Sequence, residues 1–238
     1  MDRLRDKVAI ITGAGQGIGR GIARRFASEG AAMVIAEIDA EQGQRTAKEI
    51  EFEFGTKAIF VRTDVSRKED VLAMVDATIK TFGRVDILVN NAWGGGGYSR
   101  LEHKTDEGME QALRVGFFAA FWAMQAVFSH MRRNGGGRII SICSLNGVNA
   151  HMYTAEYNAT KEALRALTRT AAREWSRHNI LANIICPAAV TPAYEVFRSA
   201  SPENAVALLK QNPMGRMGDP ERDIGGVALF WPLKIPAM

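Results

Sequence analysis

Six apolar runs of strand length, at 8–12, 32–37, 58–62, 87–90, 138–144 and 181–186, alternate with stretches of helical period at 18–29, 40–54, 68–82, 105–133 and 156–178. A strand that is apolar at nearly every position has to be covered on both faces. Only a crossover, usually a helix, returns the chain to lay the next strand parallel to it. The alternation therefore predicts an α/β fold, a doubly wound parallel sheet with helices on both sides. No Pro- or Ser-rich linker divides the chain and no repeat is visible, so residues 1–238 read as a single domain. The segment 188–217 carries Pro192, Pro202 and Pro213 and breaks the alternation. It reads as a long excursion over the carboxyl edge of the sheet, where such folds bind ligands.

Composition removes several classes. Hydrophobic residues at 47% with charged residues at 24% describe a globular chain and exclude disordered or fibrous ones. The net charge of +4 comes from 30 basic residues interspersed among 26 acidic ones, without a basic run, so no nucleic-acid partner is expected. Cys143 and Cys186 fall in strand-like runs and read as buried thiols; they make neither a disulfide framework nor a metal site. The charged residues 1–7 lack the apolar core of a secretion signal. The longest apolar stretch, 115–128, contains Gln125, is short for a bilayer span and reads as a buried helix. A cytoplasmic protein without a membrane partner is the expectation.

The first strand runs into Thr12-Gly13-Ala14-Gly15-Gln16-Gly17-Ile18-Gly19, and a helix follows. Glycines there allow a sharp turn and close approach to a pyrophosphate, while the helix start offers free N–H groups and a positive dipole end. In a strand–turn–helix context this is the dinucleotide-binding signature of a Rossmann-type fold. Glu37 ends the second strand. A carboxylate there accepts bonds from the adenosine ribose hydroxyls and repels a 2′-phosphate. With an uncharged Gln16 and no arginine in Glu37-Ile38-Asp39, NAD is expected over NADP.

Tyr157 and Lys161 are four apart in a helical stretch and share a face. An ammonium beside a phenol favours the phenolate, which would bring Tyr157 toward use as a general acid or base. Ser144, ending a strand, could offer its hydroxyl to a substrate oxygen. Tyr-x-x-x-Lys alone is common on helix surfaces.

The whole set is more specific. Thr12-Gly-x-x-x-Gly17-x-Gly19, Asp64-Val65, Asn90-Asn91-Ala92, Ser144, Tyr157 and Lys161 occur in an order that resembles the classical short-chain dehydrogenases/reductases, over about residues 4 to 230. The resemblance implies hydride transfer between a nicotinamide cofactor and a carbonyl or secondary alcohol. Tyr157 would exchange the proton, Ser144 would polarise the substrate oxygen, and Lys161 would bind the nicotinamide ribose and depress the Tyr157 pKa. Gly13, Gln16, Gly17, Ile18 and Gly19 would cradle the pyrophosphate, and Asp64 and Val65 would flank the adenine. Asn90 and Ala92 would lie along the cofactor. Pro187, Val190 and Thr191 would complete its site, with Thr191 at the carboxamide. The long helices 105–133 and 156–178 would pair subunits in a homodimer or homotetramer.

The chain also departs from the family pattern. Gly116 stands where an asparagine usually holds a water that relays protons to the lysine; an irregular helix there could seat that water on a free carbonyl. Trp93, before Gly94–Gly97, replaces a glycine, and it either lines the substrate cleft or packs. Ala188 replaces another glycine. The segment 230–238, with Pro232 and Pro236, argues against the usual last strand. Asn146, His151, Met152, Tyr153, Trp93, Tyr194, Val196 and Phe197 are the cleft candidates and suggest a fairly apolar substrate, with His151 reading more as a loop residue than a catalytic one. A regulatory protein that binds NAD without turnover, and an assembly subunit, stay open as alternatives.

Overall fold

The computed structural model describes residues 2–232. Its strands are β1 (Val8–Thr12), β2 (Ala32–Glu37), β3 (Ala58–Arg62), β4 (Ile87–Asn90), β5 (Gly137–Ile142) and β6 (Ile180–Ile185). They form one parallel sheet in the order β3-β2-β1-β4-β5-β6. The chain winds outward in one direction from β1 to β3, then crosses back to β4 and winds the other way. The crevice at the carboxyl ends of β1 and β4 is the place where such a sheet takes a ligand.

Strand side chains alternate between two cores, as the pleat requires. Ala9, Ile11, Met33, Ile35, Ile87 and Val89 face one core, with Ile22 and Phe26 of α1 (Gly17–Ala27) and Ile50 of α2 (Ala40–Phe54). Val8, Ile10, Val34, Leu88 and Ile139 face the other. That core is closed by Val71 and Met74 of α3 (Lys68–Phe82), by a long helix at 106–133, and by α7 (Ala155–Trp175). Both faces being apolar explains why the strands read as unbroken hydrophobic runs.

The helix expected over 105–133 is continuous but not uniform. It consists of α4 (Asp106–Leu113), a π-helical turn at Arg114–Phe118, and α5 (Ala119–Arg133). It is long and apolar enough to cross a membrane, yet Ala119, Ala123, Met124, Val127 and Met131 are packed into the second core. The strand expected to run to Ser144 ends at Ile142, and Ser144 instead caps the short α6 (Leu145–Val148). The excursion is helical rather than irregular: α8 (Pro192–Ala200) and α9 (Pro202–Gln211) each start on a proline, the residue that tolerates a missing first N–H. Ala188 O accepts the Gly218 N–H, and Gly218 O accepts the Val190 N–H, both at 2.8 Å, so the excursion is closed at its base. A second π-helical turn (Pro220–Ile224) and α10 (Gly225–Phe230) then return the chain to α1. Among the described residues the sheet has six strands. The expectation that no further strand forms at the end falls mainly on 233–238, outside the described residues.

Candidate active site

The glycine turn is held by its neighbours as well as by its own backbone. Gly13 and Gly17 adopt φ of 64° and 54°, a region that disfavours side chains. A β-carbon at Gly19 would sit 2.2 Å from Gly13 O, so the helix can start this close to the strand only with glycine there. The Thr12 hydroxyl accepts the Asn91 and Ala92 N–H groups at 3.0 and 3.1 Å. The Asn91 amide donates to Thr12 O and Gly13 O at 2.8 and 3.0 Å. These bonds stitch the ends of β1 and β4 together across the crevice. Thr12 and Asn91 were not singled out from the sequence for this role; a doubled asparagine at a strand end was the available signal.

The crevice suits a dinucleotide. No side chain caps α1, and no acidic residue occupies its first turn, so its leading N–H groups remain available to an anion. Asn90 Nδ2 is buried without a hydrogen-bond partner, a donor facing an unfilled need. Glu37 Oε2 accepts the Gly15 N–H at 2.9 Å, and its Oε1 accepts the Ile38 N–H at 2.9 Å, which fixes the carboxylate at the rim of the turn. Gln16 is exposed beside it and Ile18 is half-buried against the first core. Asp64 Oδ1 accepts the Ser66 N–H and hydroxyl at 3.0 and 2.7 Å, and Val65 is buried. Val65, Asn90 and Ala92 line one small cavity together with Gly116. The excursion closes the far side: Thr191 caps α8, and a β-carbon on Gly17 would lie 3.8 Å from Thr191 and 3.6 Å from Pro192. Pro187 and Val190 lie on the connection leading there, Pro187 half-buried and Val190 exposed.

Ser144, Tyr157 and Lys161 gather beside this crevice. The buried Ser144 Oγ, two residues past the end of β5, accepts the Asn146 N–H at 3.1 Å, which fixes the hydroxyl as the cap of α6. Tyr157 lies in the first turn of α7, and Lys161 follows one turn on, its Nζ donating to Ile142 O at 2.8 Å. Burial pushes the Tyr157 phenol above its ordinary value, and the Ser144 hydroxyl beside it acts the other way. The expected depression by Lys161 is therefore corrected. The ammonium is turned to a carbonyl and lies 5.6 Å from the phenol ring centroid, while desolvation prevails. Lys161 itself is brought down to about 8 by burial.

The cleft candidates divide. Trp93 packs inward, its ring edge-on to Tyr157 with centroids 4.8 Å apart. Asn146, His151 and Met152 are exposed, and His151 is held by its carbonyl, which accepts from Asn158 Nδ2 at 2.7 Å and Thr154 Oγ1 at 3.0 Å. Tyr153 and Val196 are exposed, whereas Tyr194 is buried under Phe197. A residue pair absent from the sequence reading pins the glycine loop: Lys104 donates to Gly97 O and lies 2.6 Å from Glu156 Oε2, an ion pair buried at both ends. Nothing in the linear sequence links Lys104 with Glu156.

A dinucleotide crevice with a phenol, an ammonium and a hydroxyl at its edge is the outline of an oxidoreductase that works through a bound nicotinamide. Residues 7–202 match the family model described as short chain dehydrogenase. The chain is 36% identical over 229 residues to the 7alpha-hydroxysteroid dehydrogenase of Escherichia coli K12, covering 96% of this chain and 88% of that one. NAD+-bound xylitol dehydrogenase superposes with a TM-score of 0.90 at 29% identity, over 97% of this chain and 94% of the other. L-sorbose reductase from Gluconobacter frateurii, solved with NADPH, gives 0.89 at 30% identity, over 97% and 92%. The chain belongs to the short-chain dehydrogenase family and is an oxidoreductase of that family.

Proposed function

We propose that this protein interconverts a secondary alcohol and a ketone with NAD(H), using Tyr157 as the general acid or base. The observation that carries the reading is the meeting of Ser144, Tyr157 and Lys161 at the edge of the glycine-cradled crevice, two of them buried and Tyr157 half-buried. When bound, the nicotinamide supplies or accepts the hydride. In the reducing direction the Tyr157 phenol gives its proton to the substrate oxygen as that oxygen gains negative charge. Ser144, oriented by the Asn146 N–H, donates its own hydrogen bond to the same oxygen. Lys161, whose Nζ donates to Ile142 O, would hold the ribose hydroxyls of the cofactor and keep positive charge near the phenolate left on Tyr157.

Glu37 supports NAD(H) over NADP(H), since its anchored carboxylate occupies the rim where a 2′-phosphate would stand. The exposed Leu145, Val148, Met152, Tyr153 and Val196 around the mouth support a substrate with a sizeable apolar body. The half-exposed aromatic ladder Phe117, Phe118, Phe121 and Trp122 on α5 and its leading turn supports pairing of two subunits through this helix. The test is a panel of ketones and secondary alcohols, followed by the absorbance of reduced nicotinamide. Turnover with NADH that Tyr157→Phe abolishes supports the reading; no turnover on the panel, or tighter binding of NADPH, counts against it.

A further inference from the structure

Trp93 and Gly116 fit each other as a large-for-small exchange. A β-carbon built on Gly116 would lie 3.0 and 3.2 Å from Trp93 Cζ3 and Cε3, and 2.3 Å from the Thr160 methyl. The indole is therefore lodged in a notch of the π-helical turn that any side chain at 116 would fill. From this notch the ring touches both groups to which the proposed chemistry belongs. It stands at 85° to the Tyr157 ring, and the Lys161 ammonium lies over its face, 5.3 Å from the centroid. Lys161 is buried, and among the described residues its direct hydrogen bond goes to Ile142 O. Two aromatic faces, those of Trp93 and Tyr157, are the other partners of that cation.

We infer that Trp93 is a positioning residue, held by the glycine at 116, that fixes the Tyr157 ring and supports the charge of Lys161 through its π-face. A desolvated cation gains substantially from such a face, and that gain belongs to the protonated form alone. The inference rests on the proposed roles of Tyr157 and Lys161 but does not need turnover to be tested. Among the described residues, the titratable groups whose charge bears on Lys161 are Cys143 after β5 and Cys186 after β6, with the Tyr157 ring on its own helix, and none of these is a carboxylate. The ring faces therefore weigh heavily.

The experiment is a side-chain NMR titration of Lys161 in the protein alone, its signal assigned by loss in Lys161→Met. Trp93→Leu keeps apolar bulk but removes the ring, and should lower the midpoint of Lys161 deprotonation by about one pH unit, a tenfold weaker hold on the proton. Trp93→Phe keeps a ring and should restore most of it. A midpoint in Trp93→Leu that is unchanged or raised overturns the inference. Should Trp93→Leu fail to fold, Gly116→Ala crowds the ring from behind and should shift the midpoint downward in part; an unmoved midpoint there overturns it equally. With an active substrate, Trp93→Leu should lower kcat several-fold more than it raises KM. If the unmodified protein turns over nothing, the functional reading fails on that result, while the titration still decides the role of Trp93.

Discussion

Glu37 reaches from the end of β2 to the glycine turn and accepts the Gly15 N–H at 2.9 Å, so one side chain both braces the turn and sets a carboxylate at its rim. Glu37→Ala should remove both. NADPH affinity should rise about tenfold, since a like charge beside the 2′-phosphate is gone, while NADH affinity falls modestly. Fluorescence titration with both reduced cofactors at fixed ionic strength checks this; an unchanged affinity ratio would show that Glu37 does not set the preference.

Tyr157→Phe should lower turnover by about 10²–10⁴-fold and leave cofactor affinity nearly intact, because the phenol moves a proton and does not grip the dinucleotide. Burial holds this phenol protonated well into alkaline conditions. Carbonyl reduction, which uses the phenol as an acid, should therefore stay fast through neutral pH and fall only on the alkaline side. Alcohol oxidation, which needs the phenolate, should rise with pH. Paired pH profiles of the two directions test this, and an oxidation rate that falls with pH would contradict it.

Lys161 carries a stability cost. In the unfolded chain it binds its proton with the ordinary value of 10.5, and in the folded protein with about 8. Between these values the unfolded state holds more protons, so this group makes stability rise with pH from about 8 to about 10.5. Below 8 the full cost of about 3 kcal/mol is present. Lys161→Met should thus raise Tm at neutral pH, flatten the alkaline rise and abolish turnover. Denaturant unfolding at neutral and alkaline pH is the measurement, and a Met variant less stable than the parent at neutral pH would refute the account.

Gly116→Asn should not improve the enzyme. Its β-carbon would overlap the Thr160 methyl and press the Trp93 ring, so overpacking of about 1–3 kcal/mol outweighs the helix-propensity gain over glycine. A lower Tm with reduced turnover is expected from thermal melts and steady-state rates. A several-fold gain in turnover would show that an amide at 116 serves proton delivery after all.

Glu156→Gln leaves Lys104 buried without its counter-charge, which should cost about 3 kcal/mol and free the loop that Lys104 pins at Gly97. KM should rise, with kcat changed little, as the pair anchors the loop at Gly97 and not the Ser144, Tyr157 or Lys161 side chains. Proteolysis within 94–104 should quicken as well; a variant with parental KM and cleavage rate would remove the loop-pinning role.

Much of this was legible in the residues. The buried strands and their order of appearance followed from runs such as Val8–Thr12 and Ile87–Asn90, whose apolar character reflects helices on both faces. The glycine turn and the Tyr157–Lys161 spacing were local patterns and needed no tertiary knowledge. What escaped was long-range or geometric. Ser144 leaves the strand because its side chain caps α6, a choice that depends on where β5 loses its neighbour. The packing of Trp93 depends on the emptiness at Gly116, and the Lys104–Glu156 pair joins residues 52 apart. The upward direction of the Tyr157 pKa is not legible in the spacing, which shows that a lysine is near but not that its ammonium is turned to a carbonyl.

The π-helical turn at Arg114–Phe118 works as a phase shifter. Each residue advances a helix by about 100°, so one extra residue in a turn rotates everything after it by that angle without bending the axis far. Before the turn the helix presents its inner side to α7; after it, to α3. A single rod thereby meshes with two neighbours whose contact stripes are out of step. Removing one residue from 114–118 would give a more regular helix and a worse protein, since either the half that packs on α7 or the half that fills the second core would then face the wrong way.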